Sequence, residues 1–274
     1  MFIVLKAVNP DKRFLVRCRQ KKRLSKSEPV LYPTENGLPF FILEVLDGNH
    51  GINRSEIEEK CGRYVSRIIA PRDLHLPDNG KIKRFIPNRS NAIFIFNTAV
   101  DAISKAQIEP NELCITVLDR GGIMSGEINR LLPLASSVRV ITSHPERYVA
   151  ECEKIFNSCG ASIIVRPVYQ YAEKKEIIIS CDGSTTQDMS NSVVFSFKRG
   201  IYGKIRFYSH EICLSDNHSA VIPKGIDSVD FAAAVTELCG SSEYKHSCFS
   251  ATEISCSECN DSEKAKCLRC YIAE

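Results

Sequence analysis

The sequence predicts an α/β protein with a mostly parallel sheet. From residue 91 onward, short apolar-rich runs at 113–118, 138–142, 161–165 and 176–181 alternate with amphipathic stretches of helical period. That alternation is the pattern of βαβ units with right-handed crossovers. The run at 113–118 is nearly continuous in apolar residues rather than alternating, as expected of a strand covered on both faces. Residues 1–90 lack this rhythm and read as a smaller α+β region.

In chain order, 2–8 and 13–19 flank "NPDK" and read as strand, turn and strand, a basic hairpin. A strand is expected over 40–46. A helix is expected over 53–69, with Ile57, Cys61, Tyr64, Val65 and Ile68 at helical spacing. Pro71, Pro77, Gly80 and Pro87 make 70–90 a connecting segment. A helix over 91–106 carries Ile93, Phe96, Ala99, Val100 and Ile103 on one face. After the strand at 113–118, the spacing predicts a helix over 124–132, with Ile128, Leu131 and Leu132 inward and Pro133 ending it. The strand at 138–142 leads to a helix over 145–159. Its stripe is Tyr148, Cys152, Ile155, Phe156 and Cys159, and Gly160 stands where a C′ glycine belongs. Strands at 161–165 and 176–181, a polar loop at 183–192 that would act as a lid, and strands at 193–197 and 204–213 around a Gly200 and Gly203 turn follow. Helix 227–238 turns Phe231, Val235 and Leu238 inward, with Asp227 or Ser228 as its cap. The expected organisation is therefore 1–90, a three-layer α/β domain over 91–240, and a cysteine-rich tail over 241–274.

Of the 274 residues, 43% are hydrophobic and 25% charged, an ordinary globular balance. The longest apolar runs are too short to span a bilayer. The start, "MFIVLKAVNPDKRF", lacks the charged region and cleavage site of a signal peptide, so a cytoplasmic location is expected. Cysteine usage agrees. Thirteen cysteines spread over a chain of this length suit a reducing compartment better than a disulfide scaffold. Cys18, Cys61, Cys114, Cys152, Cys159, Cys181 and Cys213 are scattered, several at apolar positions where a thiol packs as a small hydrophobe.

Charge is uneven. Residues 1–26 hold nine basic residues and one acid, or +8, which leaves −5 for the rest of a chain whose total is +3. A nucleic-acid partner would fit such an arm. No aromatic residues interleave "RCRQKKRLSK" as stacking platforms, so a solvated face is the favoured reading.

The stretch "LCITVLDRGGIMSGEINRLLPLASSVRVITSH", with the helix and strand that follow it to residue 165, resembles the first mononucleotide-binding half of a Rossmann fold. The resemblance implies a ligand at the carboxyl edge of the sheet. The dinucleotide fingerprint needs G-x-G-x-x-G between strand and helix, each glycine with its own task. Here Gly121 takes the middle place, Asp119 the first and Met124 the third, with Gly122 adjacent and Gly126 two residues late. No acid ends the second strand for a ribose hydroxyl; His144 and Arg147 stand there instead, as a 2′-phosphate would prefer. Ser143-x-x-Glu146 also reads as a capping box, with Pro145 in the first turn, which accounts for those residues without a ligand. NADP is therefore disfavoured, and Gly121, Gly122, Ser143 and Arg147 are the residues that would hold it.

Strand ends supply the remaining candidates. Asp119, His144 and Asp182 are expected near one crevice, where an Asp–His pair would serve general acid–base catalysis. Polar residues also gather at strand ends simply because loops meet water there. The tail contains Cys256-x2-Cys259-x7-Cys267-x2-Cys270, two knuckles able to give four thiolates to a structural zinc, or less typically an iron–sulfur cluster. Two function classes follow: a Rossmann-like protein binding a small molecule or nucleotide, enzymatic or not, and a non-catalytic interaction protein whose basic hairpin or zinc-stabilised tail meets a protein partner.

Overall fold

A computed structural model describes residues 1–46, 54–71, 73–77, 80–169, 176–183, 192–196, 205–209, 212–249 and 254–256. The chain divides into two compact units, Met1–Pro87 with Ile212–Cys248, and Asn88–Glu211 with Phe249–Glu274. The domains expected were 1–90, 91–240 and a tail over 241–274; in this division 212–248 groups with Met1–Pro87.

The first unit is built on a four-stranded sheet of order β2-β3-β1-β4, from β1 (Ile3–Val8), β2 (Val30–Thr34), β3 (Gly37–Leu46) and β4 (Ile68–Ile69). β1 runs parallel to β3 and β4, and β2 antiparallel to β3. The expected basic hairpin is overturned: after β1 the chain enters α1 (Phe14–Ser25), with Arg13 as N-cap. Only Leu24 of that helix is buried, so its single apolar anchor gives a weak helical period, and the apolar Phe14-Leu15-Val16 run in its first turn mimics a strand. β2 was hidden in a polar stretch. Its signal is the two-residue turn Glu35-Asn36 ahead of Gly37, with Asn36 at φ 53°. Gly37 is required there, because a Cβ would lie 2.8 Å from that of Ser241. The helix expected over 53–69 is shorter, α2 (Arg54–Cys61), and a 3-10 turn at Gly62–Tyr64 leads out of it.

The second unit opens with α3 (Arg89–Ala106) and β5 (Cys114–Leu118). It continues through β6 (Ser137–Ile141), α4 (Val149–Cys159), β7 (Ile164–Arg166), β8 (Glu176–Ser180), β9 (Val193–Ser196) and β10 (Ile205–Ser209). Its sheet has the order β11-β10-β9-β8-β5-β6-β7, where β11 is Ile254–Cys256. Every pairing from β7 to β10 is parallel, and β11 pairs antiparallel with β10. Counted from β5, the six parallel strands follow 3-2-1-4-5-6, the order of a complete doubly wound Rossmann sheet. The second unit is therefore a Rossmann-like α/β fold. β5 and β8 are covered on both faces, which is why the consecutive residues Ile115 to Leu118 and Glu176 to Ser180 are all buried.

Two helix expectations fail here. Residues 124–132 form turns and one 3-10 segment, Ile128–Leu131, not an α-helix. Helix 145–159 begins as a 3-10 turn, Pro145–Tyr148, before α4, and Phe156 and Cys159 of its expected inner stripe are exposed. Gly160 closes α4 at φ 70°, as expected. The strands 193–197 and 204–213 are parallel neighbours and not two arms of a hairpin. In the first unit, α5 (Asp216–Ser219) and α6 (Ser228–Cys239) follow, and Asp227 caps α6 by accepting from the amides of Val229 and Asp230. No helix among the described residues is long and apolar enough to cross a membrane.

Candidate functional site

At the carboxyl edge of the seven-stranded sheet, β5 ends at Leu118 and the chain turns through Asp119-Arg120-Gly121-Gly122. Asp119 is 1% exposed. Its Oδ2 accepts from the Met124 amide at 2.8 Å and from the Tyr148 hydroxyl at 2.6 Å, while Oδ1 is buried without a partner. Burial first, then the charge and hydrogen bond of Asp119, push the Tyr148 phenol well above its usual range, so it stays a donor. Asp119 is thus spent on joining the turn to the start of the next helical segment. His144 pairs instead with Glu146, Nδ1 to Oε1 at 3.0 Å. The expected Asp119–His144 pair is not formed. Asp182, on the next strand end, accepts from the Arg120 amide at 3.0 Å and so ties β8 to the same turn.

The glycine pair has a local cause. Gly122 sits at φ 63° in the left-handed region, and a Cβ there would lie 2.7 Å from Cδ of Arg147. The Arg147 guanidinium crosses the turn and donates from Nη1 to the Gly121 carbonyl at 2.7 Å. The room that glycine makes is taken by an arginine stem. With Arg147 over the turn, the Asp119 carboxylate inside it and no α-helix N-terminus behind it, these residues do not fit a dinucleotide pyrophosphate. The capping box is also absent: Ser143 makes no cap, and the Thr142 hydroxyl accepts from the His144 amide at 3.1 Å.

Beside this turn is a recess of about 220 Å³ lined by Leu118, Arg120, Ile141, Thr142, Ser143, Pro167, Val168 and Tyr169. It lies over the ends of β5, β6 and β7. Its outer wall is fixed, because the Tyr169 hydroxyl donates to Oε2 of buried Glu176 at 2.9 Å and Thr116 holds the other carboxylate oxygen. Sequence reasoning named Ser143 but not Arg120, Thr142 or Tyr169. The reachable signal was the position of Arg120 and Thr142 directly after apolar strands. Of the loop expected over 183–192, residues 184–191 lie outside the described residues.

Of the four tail cysteines, Cys256 ends β11, opposite Phe207, and Cys259, Cys267 and Cys270 lie outside the described residues. No cluster of three or more His, Cys, Asp or Glu suited to a metal occurs among the described residues. The scattered thiols divide: Cys61 and Cys181 are buried, whereas Cys18, Cys159 and Cys213 are exposed, against the expectation of packing.

No family model matches the chain, and no curated protein does. Among solved structures, the chain is similar to the L-tryptophan dehydrogenase of Nostoc punctiforme, at 10% identity and a TM-score of 0.29, over 99% of this chain and 80% of that one. So loose a superposition says nothing about ligand or reaction.

Proposed function

We propose that the Rossmann-like unit binds a small nucleotide or nucleoside in the recess over β5, β6 and β7. The observation that supports this reading is the composition of the recess. Ile141, Val168 and Tyr169 offer flat apolar contact to a planar ring, and Arg120, Thr142 and Ser143 offer polar contact on the other side. The Arg120 guanidinium makes no ion pair among the described residues, so it is available to a phosphate. Doubly wound sheets place ligands at this edge, although fold analogy alone names no reaction. A dinucleotide is disfavoured, since its pyrophosphate would meet Arg147 and Asp119 at the glycine turn.

Titration calorimetry with AMP, adenosine, NAD and NADP tests this. AMP is expected to bind more tightly than adenosine, and Arg120→Ala to erase that difference. Equal or tighter binding of NADP would reverse the reading of the glycine turn, and no binding by any of the four would remove the nucleotide reading.

A second reading rests on α1. Phe14 and Leu15 are 66% and 73% exposed, and Arg17, Arg19, Lys21, Lys22 and Arg23 spread around the same helix, a basic segment suited to an anionic partner. Retention on heparin that survives Arg17→Glu with Arg23→Glu would count against it. Zinc at the tail cysteines remains a separate proposal, which metal analysis of protein purified under reducing conditions decides.

A further inference from the structure

The first unit holds a cavity that no sequence expectation touches. It measures about 380 Å³, within the common range for small-ligand sites of ~300–1,000 Å³. Tyr32, Thr34, Glu35, Asn217, His218 and Glu243 give it polar lining, and buried Phe40 backs it. Tyr32 and Phe40 stack at 5.6 Å between centroids.

Behind one wall is a buried relay. The His218 side chain is 4% exposed and that of Glu243 7%. His218 Nδ1 lies 2.8 Å from the Tyr244 hydroxyl and 3.2 Å from Oε1 of Glu243. The Ser215 hydroxyl donates to the same Glu243 oxygen at 2.7 Å, and the Ser215 amide donates to the Tyr244 oxygen at 3.2 Å. The Glu35 amide reaches the other Glu243 oxygen at 3.4 Å. A carboxylate against Nδ1 holds the proton on that nitrogen. Phe40 and Phe231 clamp the imidazole edge-on at 5.7 and 5.2 Å. Because Nδ1 is committed inward, the nitrogen left for a ligand in the cavity is Nε2, as an acceptor.

The charge of the cavity selects the ligand. Its lining contains two carboxylates, Glu35 and Glu243, and neither Lys nor Arg. The Glu35 carboxylate has no ion pair among the described residues and stands exposed on the turn between β2 and β3. An anion is repelled there. A cation gains both a carboxylate and the face of Tyr32. We propose that this cavity binds a small organic ammonium ion, with its charged head at Glu35, its apolar body along Tyr32, and an N–H donated to Nε2 of His218. The site belongs to the first unit and is independent of the nucleotide recess.

The His218 acceptor makes binding pH-dependent. The charged groups that act on the ring are Glu243, from the segment after α6, and Glu35, from the β-turn, and the Tyr244 hydroxyl meets Nδ1. Desolvation lowers the histidine below its ordinary value, against the opposing pull of Glu243 and Glu35. It is therefore a neutral acceptor at neutral pH. Acid protonates it, removes the acceptor and places a positive charge beside the ammonium.

The test is an NMR titration of the full chain with benzylamine, benzyl alcohol and benzoate, three probes of one shape and different charge. Benzylamine is expected to bind most tightly, benzoate least. Glu35→Gln, a change on an exposed turn, is expected to weaken benzylamine by about two- to fivefold and leave benzyl alcohol unmoved. Benzylamine, protonated throughout, should also bind less well as pH falls below neutrality and His218 takes up a proton, and His218→Gln should remove that dependence. Benzoate binding as tightly as benzylamine, indifference of benzylamine to both Glu35→Gln and pH, or no binding by any probe would each overturn the proposal.

Discussion

The turn after β5 and the cavity beside His218 each contain a buried carboxylate held by hydrogen bonds, Asp119 by Tyr148 and Glu243 by Ser215, and they put it to opposite uses. Asp119 faces inward, to the Met124 amide and the Tyr148 hydroxyl, and Arg147 roofs the turn above it. Glu243 also faces inward, but its partner His218 borders open space. Strand-end position, the rule that pointed to Asp119, does not distinguish these cases. What distinguishes them is whether the chain of hydrogen bonds ends in a side chain with a free polar edge. By that criterion the carboxylate in the Rossmann-like turn is structural, and the histidine outside that unit is the better acid–base group.

Breaking the turn should produce the largest effect. Asp119→Ala removes the acceptor of a buried hydroxyl and a buried amide, a loss of about 2–4 kcal/mol. The unpartnered Oδ1 offsets some of this, since its desolvation cost disappears with the carboxylate. Urea unfolding followed on the seven-stranded unit measures it. A change below about 0.5 kcal/mol would mean that Asp119 is not structural and would return it to the list of chemical candidates.

Gly122→Ala should cost less, about 1–2 kcal/mol for the left-handed backbone, plus the overlap with Arg147. The two causes separate in a double-mutant cycle. Arg147→Ala should restore the overlap part and leave the backbone part. If Arg147→Ala instead restores the whole loss, the backbone conformation is not held by glycine, and the turn is freer to receive a ligand than its closed form suggests.

Legibility divided along the same line. The parallel core strands were readable because burial on both faces leaves dense apolar runs such as Ile177 to Ile179. The Rossmann edge followed from them. Helix 124–132 was misread because Ile128 and Leu131 are buried at helical spacing by a 3-10 turn, a periodicity that does not reveal hydrogen-bond pattern. Helix α1 was misread for the opposite reason, having almost no buried face to give a period. The His218 cavity was illegible. Its parts come from Tyr32, Glu35, His218 and Glu243, about 210 residues apart at the extremes, and only the return of 212–248 to the first unit assembles them. The capping box was a true pattern match that the chain does not use, because the Ser143 amide donates to the Arg120 carbonyl and Glu146 pairs with His144.

The smallest expected effect sharpens the comparison from the His218 side. A histidine whose folded pKa lies below its ordinary 6.5 binds fewer protons folded than unfolded in the interval between the two values. Stability then rises with pH across that interval and is lost as pH falls through it, the reverse of a histidine stabilised by its charge. Desolvation is the larger cause and Glu243 the counterweight, so Glu243→Gln should deepen the acid loss by removing the group that favours imidazolium. His218→Gln should flatten the slope contributed by this site. The measurement is urea stability at several pH values from about 5 to 8, comparing the variants with the parent so that other titrating groups cancel. If the parent instead grows more stable as pH falls through this range and His218→Gln abolishes that gain, the imidazole is held as a cation by Glu243. A charged His218 would then offer no acceptor to an ammonium N–H, and the proposed ammonium site would fail with it.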